Sequence, residues 1–182
     1  MAFCMMVPDP DTYRSLVIFD TPVAGWEIQE QFRSGESVVD SWTPIPVRLF
    51  EEEGEEPKPL GDFPSLFAGV PPVFSKKALD VLTPLIGDSI EALPLAGVGD
   101  DFCVINVEVV DCLDQQRSKY ERFESSGRIA YITRYVFREN CLENKHIFRI
   151  PELPLSAVFV SDAFKALVEV NDLQGLIFER VA

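Results

Sequence analysis

Apolar and polar positions alternate with two periods along the chain, and the two-residue period of strands dominates. It is clearest from Arg128 to Arg138, where Ile129, Tyr131, Tyr135 and Phe137 are expected to face one way and Arg128, Arg134 and Arg138 the other. Phe102 to Val110 reads as a second strand, with Cys103, Ile105, Val107 and Val109 on one face and Phe102, Val104, Asn106, Glu108 and Val110 on the other. If these two strands are neighbours, Glu108 and Arg134 could pair across the sheet. Leu16 to Asp20, Ile147 to Ile150 and Leu176 to Val181 are shorter strand signals. Trp42 to Phe50 is extended, and its prolines at 44 and 46 predict an edge position because proline cannot donate to a central ladder.

The helical period appears twice. Ser75 is placed to cap a helix carrying Ala78, Leu79, Leu82, Leu85 and Ile86 on one face, with Pro84 expected to kink or end it near Thr83. Ser161 is placed to cap a second helix with Phe164, Leu167, Val168 and Asn171 on one side, and Asp162 in its first turn suits the helix dipole. Strands interrupted by isolated helices predict an α+β fold, a mainly antiparallel sheet with a few short helices packed against it. The length fits one domain over residues 1–182. A small N-terminal subdomain could end at about residue 56, where Glu51-Glu-Glu-Gly-Glu-Glu56 forms a charged loop before Pro57 and Pro59.

Charge sharpens this picture. Thirty acidic against 16 basic residues give a net charge of −14. Residues 1–116 hold 21 acidic and 6 basic groups, residues 117–149 hold 4 and 8, and residues 150–182 hold 5 and 2. A field of this sign repels nucleic acid and anionic membranes and speeds encounter with a basic partner, although acidic composition can also serve solubility alone. The aromatic residues of the basic segment alternate with its arginines, as a half-buried strand requires, rather than forming a stacking platform for single strands. Met1 to Val7 is too short and lacks the positive flank of a secretory signal or span, so a cytoplasmic location is expected.

Candidate chemistry is sparse. Cys4, Cys103, Cys112 and Cys141 have no Cys-x-x-Cys spacing and only His146 to complete a zinc site, so neither a metal nor a disulfide framework is expected. Gly87-Asp88-Ser89-Ile90 has the look of a hydrolase nucleophile block, but His146 lies in the wrong context, and a helix-terminating Gly87 followed by a turn explains the motif more simply. Gly97-Val-Gly99 lacks the third glycine and the lysine of a phosphate loop, and Asp100 and Asp101 would repel phosphate there. The adjacent acids, including Asp111 and Asp114, lack the spacing of a calcium loop. These residues predict no catalytic group and no cofactor.

Several segments taken in order nevertheless resemble a known family. They are Trp42-Thr-Pro44, Asp62-Phe-Pro64, Pro72-Val-Phe-Ser75, Leu93-Pro-Leu95, Leu113-Asp114 with Ser118, Tyr135-Val-Phe137, Ile147-Phe-Arg-Ile150, and Val160-Ser-Asp-x-Phe164 leading to Gly175-Leu176. Together they resemble family 11 of the bacterial polymorphic-toxin immunity proteins. The resemblance implies a non-enzymatic, cytoplasmic inhibitor of a cognate toxin in interbacterial competition, the toxin often being a nuclease, including the HNH-like class. Phe63, Phe74, Leu79 and Phe164 are then core candidates on physical grounds.

A nuclease presents a basic, phosphate-seeking cleft that an acidic protein can cover. Glu51, Glu52, Glu53, Glu55 and Glu56, with Asp100 and Asp101, are the candidate acidic surface, and the alternative for the loop is a solvated turn. Trp42 or Trp26 could be an apolar anchor, although large aromatics are more often core. Two other functions stand beside this one: an acidic adaptor or scaffold for a non-toxin partner, and a hydrolase using Ser89 and His146.

Overall fold

The computed structural model describes residues 2–21, 25–51, 54, 56–66, 70–98 and 101–181. The strands are β1 (Phe3–Pro8), β2 (Leu16–Ile18), β3 (Ile45–Leu49), β4 (Val73–Ser75), β5 (Ile90–Ala96), β6 (Phe102–Val107), β7 (Lys119–Arg122), β8 (Ile129–Arg134), β9 (Ile147–Phe148), β10 (Val158–Ser161) and β11 (Leu176–Arg180). The helices among the described residues are α1 (Gly25–Gln31), α2 (Lys76–Ile86) and α3 (Asp162–Val170). One sheet has the order β11-β1-β10-β9, a second β2-β3-β5-β6-β4, and β7-β8 form a hairpin of their own. Every ladder is antiparallel except β3 with β5, so the α+β reading with a mainly antiparallel sheet holds.

Central strands of both larger sheets are covered on two faces, and strand alternation sorts their side chains between three apolar clusters. Cys4 and Met6 of β1, Val158 and Val160 of β10, and Ile105 and Val107 of β6 join α2 and α3 in a central cluster between the sheets. Phe102 and Val104 of β6 turn the other way, onto Leu16, Ile45, Val47, Ile28 and Phe32. Phe148 and Phe159 turn outward from the first sheet onto Leu113, Ile129 and Leu142, with Phe3, Met5, Tyr120, Ile132, Tyr135 and Phe137 packed around them. A strand covered on both faces needs apolar residues on both, which explains the near-continuous apolar runs in β1, β6 and β10, broken only by Asn106 and Ser161 in the latter two.

Local signals set both principal helices. Ser75 Oγ accepts from the Ala78 amide at 3.0 Å and donates to Asp62 at 2.7 Å. Ser161 Oγ accepts from the Phe164 amide at 3.3 Å. Ala78, Leu82 and Ile86 are buried, Leu79 is half-buried, and Phe63, Phe74 and Phe164 lie in the central cluster.

Five expectations are corrected. The segment around β3 is not an edge: β3 lies between β2 and β5. Its prolines are tolerated because the β5 ladder registers only at Ile45 and Pro46, where the Pro46 carbonyl serves β2 by accepting from Phe19 N. Helix α2 does not end near Thr83 but runs past Pro84 to Ile86 before a 3₁₀ turn at Gly87–Ser89. β8 is not a neighbour of β6, and Glu108 pairs with Lys145 rather than Arg134. The alternation from Arg128 to Arg138 is broken by irregularities in the β7–β8 register, so Ile129 is buried while Tyr131 is exposed. Finally, Phe3–Pro8, given no strand from sequence, is a central strand of the first sheet.

Candidate functional site

The described acidic candidates, Glu51, Glu56 and Asp101, lie at one end of the second sheet. β3 and β5 are parallel, so the segment after Leu49 and the turn after Ala96 leave the sheet in the same direction. Gly97 makes that turn possible. It has φ of +99°, and a Cβ there would lie 2.5 Å from the Val47 carbonyl oxygen, a distance no side chain could keep. Glu51 and Glu56 are exposed and border a groove of about 400 Å³ together with Asp11, Tyr13, Arg14 and Phe50. Phe50 keeps half its surface in water as the apolar part of a lining whose charged groups are Asp11, Glu51 and Glu56 with Arg14 and Lys58. Lys58 also lines the groove and donates to the Pro10 carbonyl at 3.2 Å, which fixes one wall.

Asp101 is exposed at the same end, where its backbone carbonyl accepts from Lys76 N at the start of α2, but it does not line the groove. Glu52, Glu53, Glu55 and Asp100 lie outside the described residues.

The two tryptophans have separate environments. Trp42 is half-buried against Phe32, with ring centroids 5.7 Å apart, and its indole N–H donates to the Pro94 carbonyl at 2.9 Å. It is a packing residue whose rim borders a shallow depression with Ile28 and Pro44. Trp26 is 68% exposed on α1, against the expectation that it is core. The reason is rotational: Ile28 is the buried residue of α1, and two positions along a helix is about 200°, so Trp26 points away from the cluster that Ile28 fills.

The residues of the hydrolase alternative are used structurally. Ser89 is buried in the 3₁₀ turn, and its carbonyl accepts from Glu108 N. His146 Nδ1 is hydrogen-bonded to Ser161 Oγ at 2.9 Å, the hydroxyl that caps α3.

Two polar residues were not singled out from sequence. Arg149 is completely buried between the sheets. Its Nε and Nη2 donate to the Val107 carbonyl at 3.0 and 2.6 Å, Nη1 donates to the Pro154 carbonyl at 2.9 Å, and Nη2 reaches Asn106 Oδ1 at 3.2 Å. Burial pushes its pKa down to about 10. Glu91 accepts from Ser37 Oγ at 2.5 Å, Val38 N at 3.0 Å and Asn106 Nδ2 at 3.3 Å. Burial raises its carboxyl, but these donors outweigh it and leave the pKa below the ordinary value. The visible sequence signal for Arg149 was a guanidinium inside the apolar run Ile147-Phe-Arg-Ile150.

Among the described residues no group of histidine, cysteine and carboxylate side chains is arranged to hold a metal ion, and no helix is long and apolar enough to cross a membrane. No curated protein matches the sequence. Residues 99–182 do match a family model, that of the immunity protein family Imm11, so this stretch of the chain is similar to that family.

Proposed function

We propose that this chain is an immunity protein that neutralises a cognate nuclease toxin by laying its acidic sheet end over the toxin's basic, phosphate-seeking cleft, a reading supported by the similarity of residues 99–182 to the Imm11 family. The observation that carries the reading is the groove lined by exposed Glu51, Glu56 and Asp11 together with the half-exposed Phe50, its acids outnumbering its cations Arg14 and Lys58. Carboxylates at the rim draw a basic partner in and orient it, while an aromatic ring at the centre supplies the desolvated contact on which affinity depends. Asp101, exposed at the same sheet end, adds to this charge, the sequence-adjacent Glu52, Glu53, Glu55 and Asp100 are carried with it as candidates, and Trp26 is a second exposed candidate anchor. Blocking is steric and electrostatic, with no chemistry on the inhibitor, and it takes place in the cytoplasm of the producing cell.

The test is affinity for the toxin domain encoded beside this chain, with Glu51, Glu52, Glu53, Glu55 and Glu56 replaced together by Gln. The reading expects a loss of about 10-fold or more, concentrated in the association rate. Unchanged affinity would sink the charge-mimic mechanism and leave the immunity role to another surface.

A further inference from the structure

The β7–β8 hairpin reverses the charge of the molecule. Residues 117–134 carry Arg117, Lys119, Arg122, Arg128 and Arg134 against only Glu121 and Glu124, in a chain whose net charge is −14. The hairpin is a two-stranded sheet of its own, and its inner side is anchored by Tyr120, Ile129 and Ile132. Its tip is closed by Phe123 N to the Arg128 carbonyl at 2.9 Å and Gly127 N to the Phe123 carbonyl at 2.8 Å. Arg122 stacks over Tyr120 and donates to the Gly127 carbonyl at 2.7 Å, so that arginine is committed to holding the hairpin's shape.

The outer side is different. Lys119 and Arg134 stand directly opposite one another in the ladder. Both are exposed, and neither belongs to an ion pair among the described residues. Like charges directly across a ladder destabilise a sheet, and this protein has carboxylates in excess with which to relieve them. Further along the hairpin, Tyr131 stands opposite Glu121, the one carboxylate of β7, and keeps 48% of its surface in water, and Phe123 at the tip keeps 56%. A cationic pair outside any ion pair among the described residues, on a hairpin that also exposes the rings of Tyr131 and Phe123, has the composition of an interface centre rather than of a solubilising surface.

We propose that the outer side of the β7–β8 hairpin, centred on Lys119, Arg134 and Tyr131, is a second contact surface that receives an acidic patch of the toxin. The proposal rests on the toxin-binding reading above. The occupant must be acidic by charge complementarity. A polyanionic nucleic acid would meet a strong negative field from the rest of the chain, and a second copy would bring another −14. The hairpin also lies wholly inside residues 99–182, the stretch that matches the immunity family, whereas the acidic groove lies outside it. Two contacts of opposite sign would fix the toxin's orientation, since turning the complex round would oppose like charges at both.

The experiment compares the full chain with Lys119→Glu, with Lys119→Glu/Arg134→Glu, and with Lys165→Glu/Arg180→Glu, a control that changes net charge as much as the double variant but lies outside the hairpin. Each is titrated with the neighbouring toxin domain, and each melting temperature is recorded. The proposal expects the double variant to bind about 10-fold or more weakly and the control to stay within about 3-fold. It also expects Lys119→Glu to lose affinity at an equal or higher melting temperature, because opposite charges then face each other across the ladder. Wild-type affinity in the double variant would overturn the second surface while leaving toxin binding intact. Wild-type protein that fails to bind the toxin would overturn both readings. A self-association of the wild type that Lys119→Glu abolishes, with toxin affinity unchanged, would assign the hairpin to a second copy instead.

Discussion

Arg149 donates to the side chain of Asn106 at 3.2 Å, and through Asn106 it is tied to Glu91 on the neighbouring strand and to the Glu36 carbonyl at 2.7 Å. The backbone runs the same way: Arg149 N donates to the Glu108 carbonyl and Val110 N to the Arg149 carbonyl, so the continuation of β6 is joined to β9 of the other sheet. A fixed guanidinium fork is suited to this junction because it serves two carbonyls and an amide at once. Replacing Arg149 by Met would relieve the cost of a buried charge but leave the Val107 and Pro154 carbonyls without that donor. We expect Arg149→Met to lower stability by about 1–3 kcal/mol in urea unfolding. Arg149→Lys should not restore it, since one ammonium lacks the fork. A variant as stable as wild type would show that the junction is not held by this side chain.

Glu91 gives the network a pH dependence. Its folded pKa is depressed, so the unfolded chain binds its proton at higher pH than the folded one does. The stability Glu91 contributes is therefore fully present above the ordinary carboxylate range and is lost as pH falls through the depressed folded value. Between pH 7 and pH 3 the stability difference between wild type and Glu91→Gln should shrink. A difference that stays constant over that range would contradict the assignment.

The tryptophans should separate stability from binding. Trp42→Ala removes the contact with Phe32 and the hydrogen bond to the Pro94 carbonyl, and should destabilise the fold by about 2 kcal/mol, less than a fully buried tryptophan would. Trp26→Ala should change stability by less than about 0.5 kcal/mol, as surface substitutions do. If Trp26 is an anchor, its substitution should weaken toxin binding about 10-fold or more. Calorimetric melting alongside toxin titration of each variant checks both halves.

These two residues also show where sequence reading stops. Helix caps depend on neighbours three residues away, so Ser75 and Ser161 were legible, as were the buried faces they introduce. The exposure of Trp26 depends on which side of α1 meets the second sheet, and nothing local encodes that. β1 was not legible because Phe3 to Val7 is apolar at every position, and a strand covered on both faces has no alternation to read. Pro46 indicated an edge because its missing N–H was visible while the short reach of the β5 ladder was not. The acidic groove was half legible: Glu51 and Glu56 stood out in sequence, but Asp11 and Phe50 join them only through the pairing of β2 with β3.

The cysteines offer a chemical check on the packing. Burial pushes the Cys112 thiol up to about 12, and its side chain is inaccessible, whereas Cys141 is half-exposed. Only the thiolate is nucleophilic, so Cys112 should resist iodoacetamide at pH 8 while Cys141 reacts, and all four should react in denaturant. Mass spectrometry of labelled peptides reads this directly. Equal labelling of Cys112 and Cys141 in the native protein would contradict the third cluster as described.

The central claim is neutralisation of a toxin through a charged surface, and the most direct measurement is titration of the neighbouring toxin's activity with this protein at low and high salt. We expect stoichiometric inhibition, with association slowing as salt rises and screens the acidic sheet end. Toxin activity that is untouched at a molar excess of this protein in low salt would contradict the account.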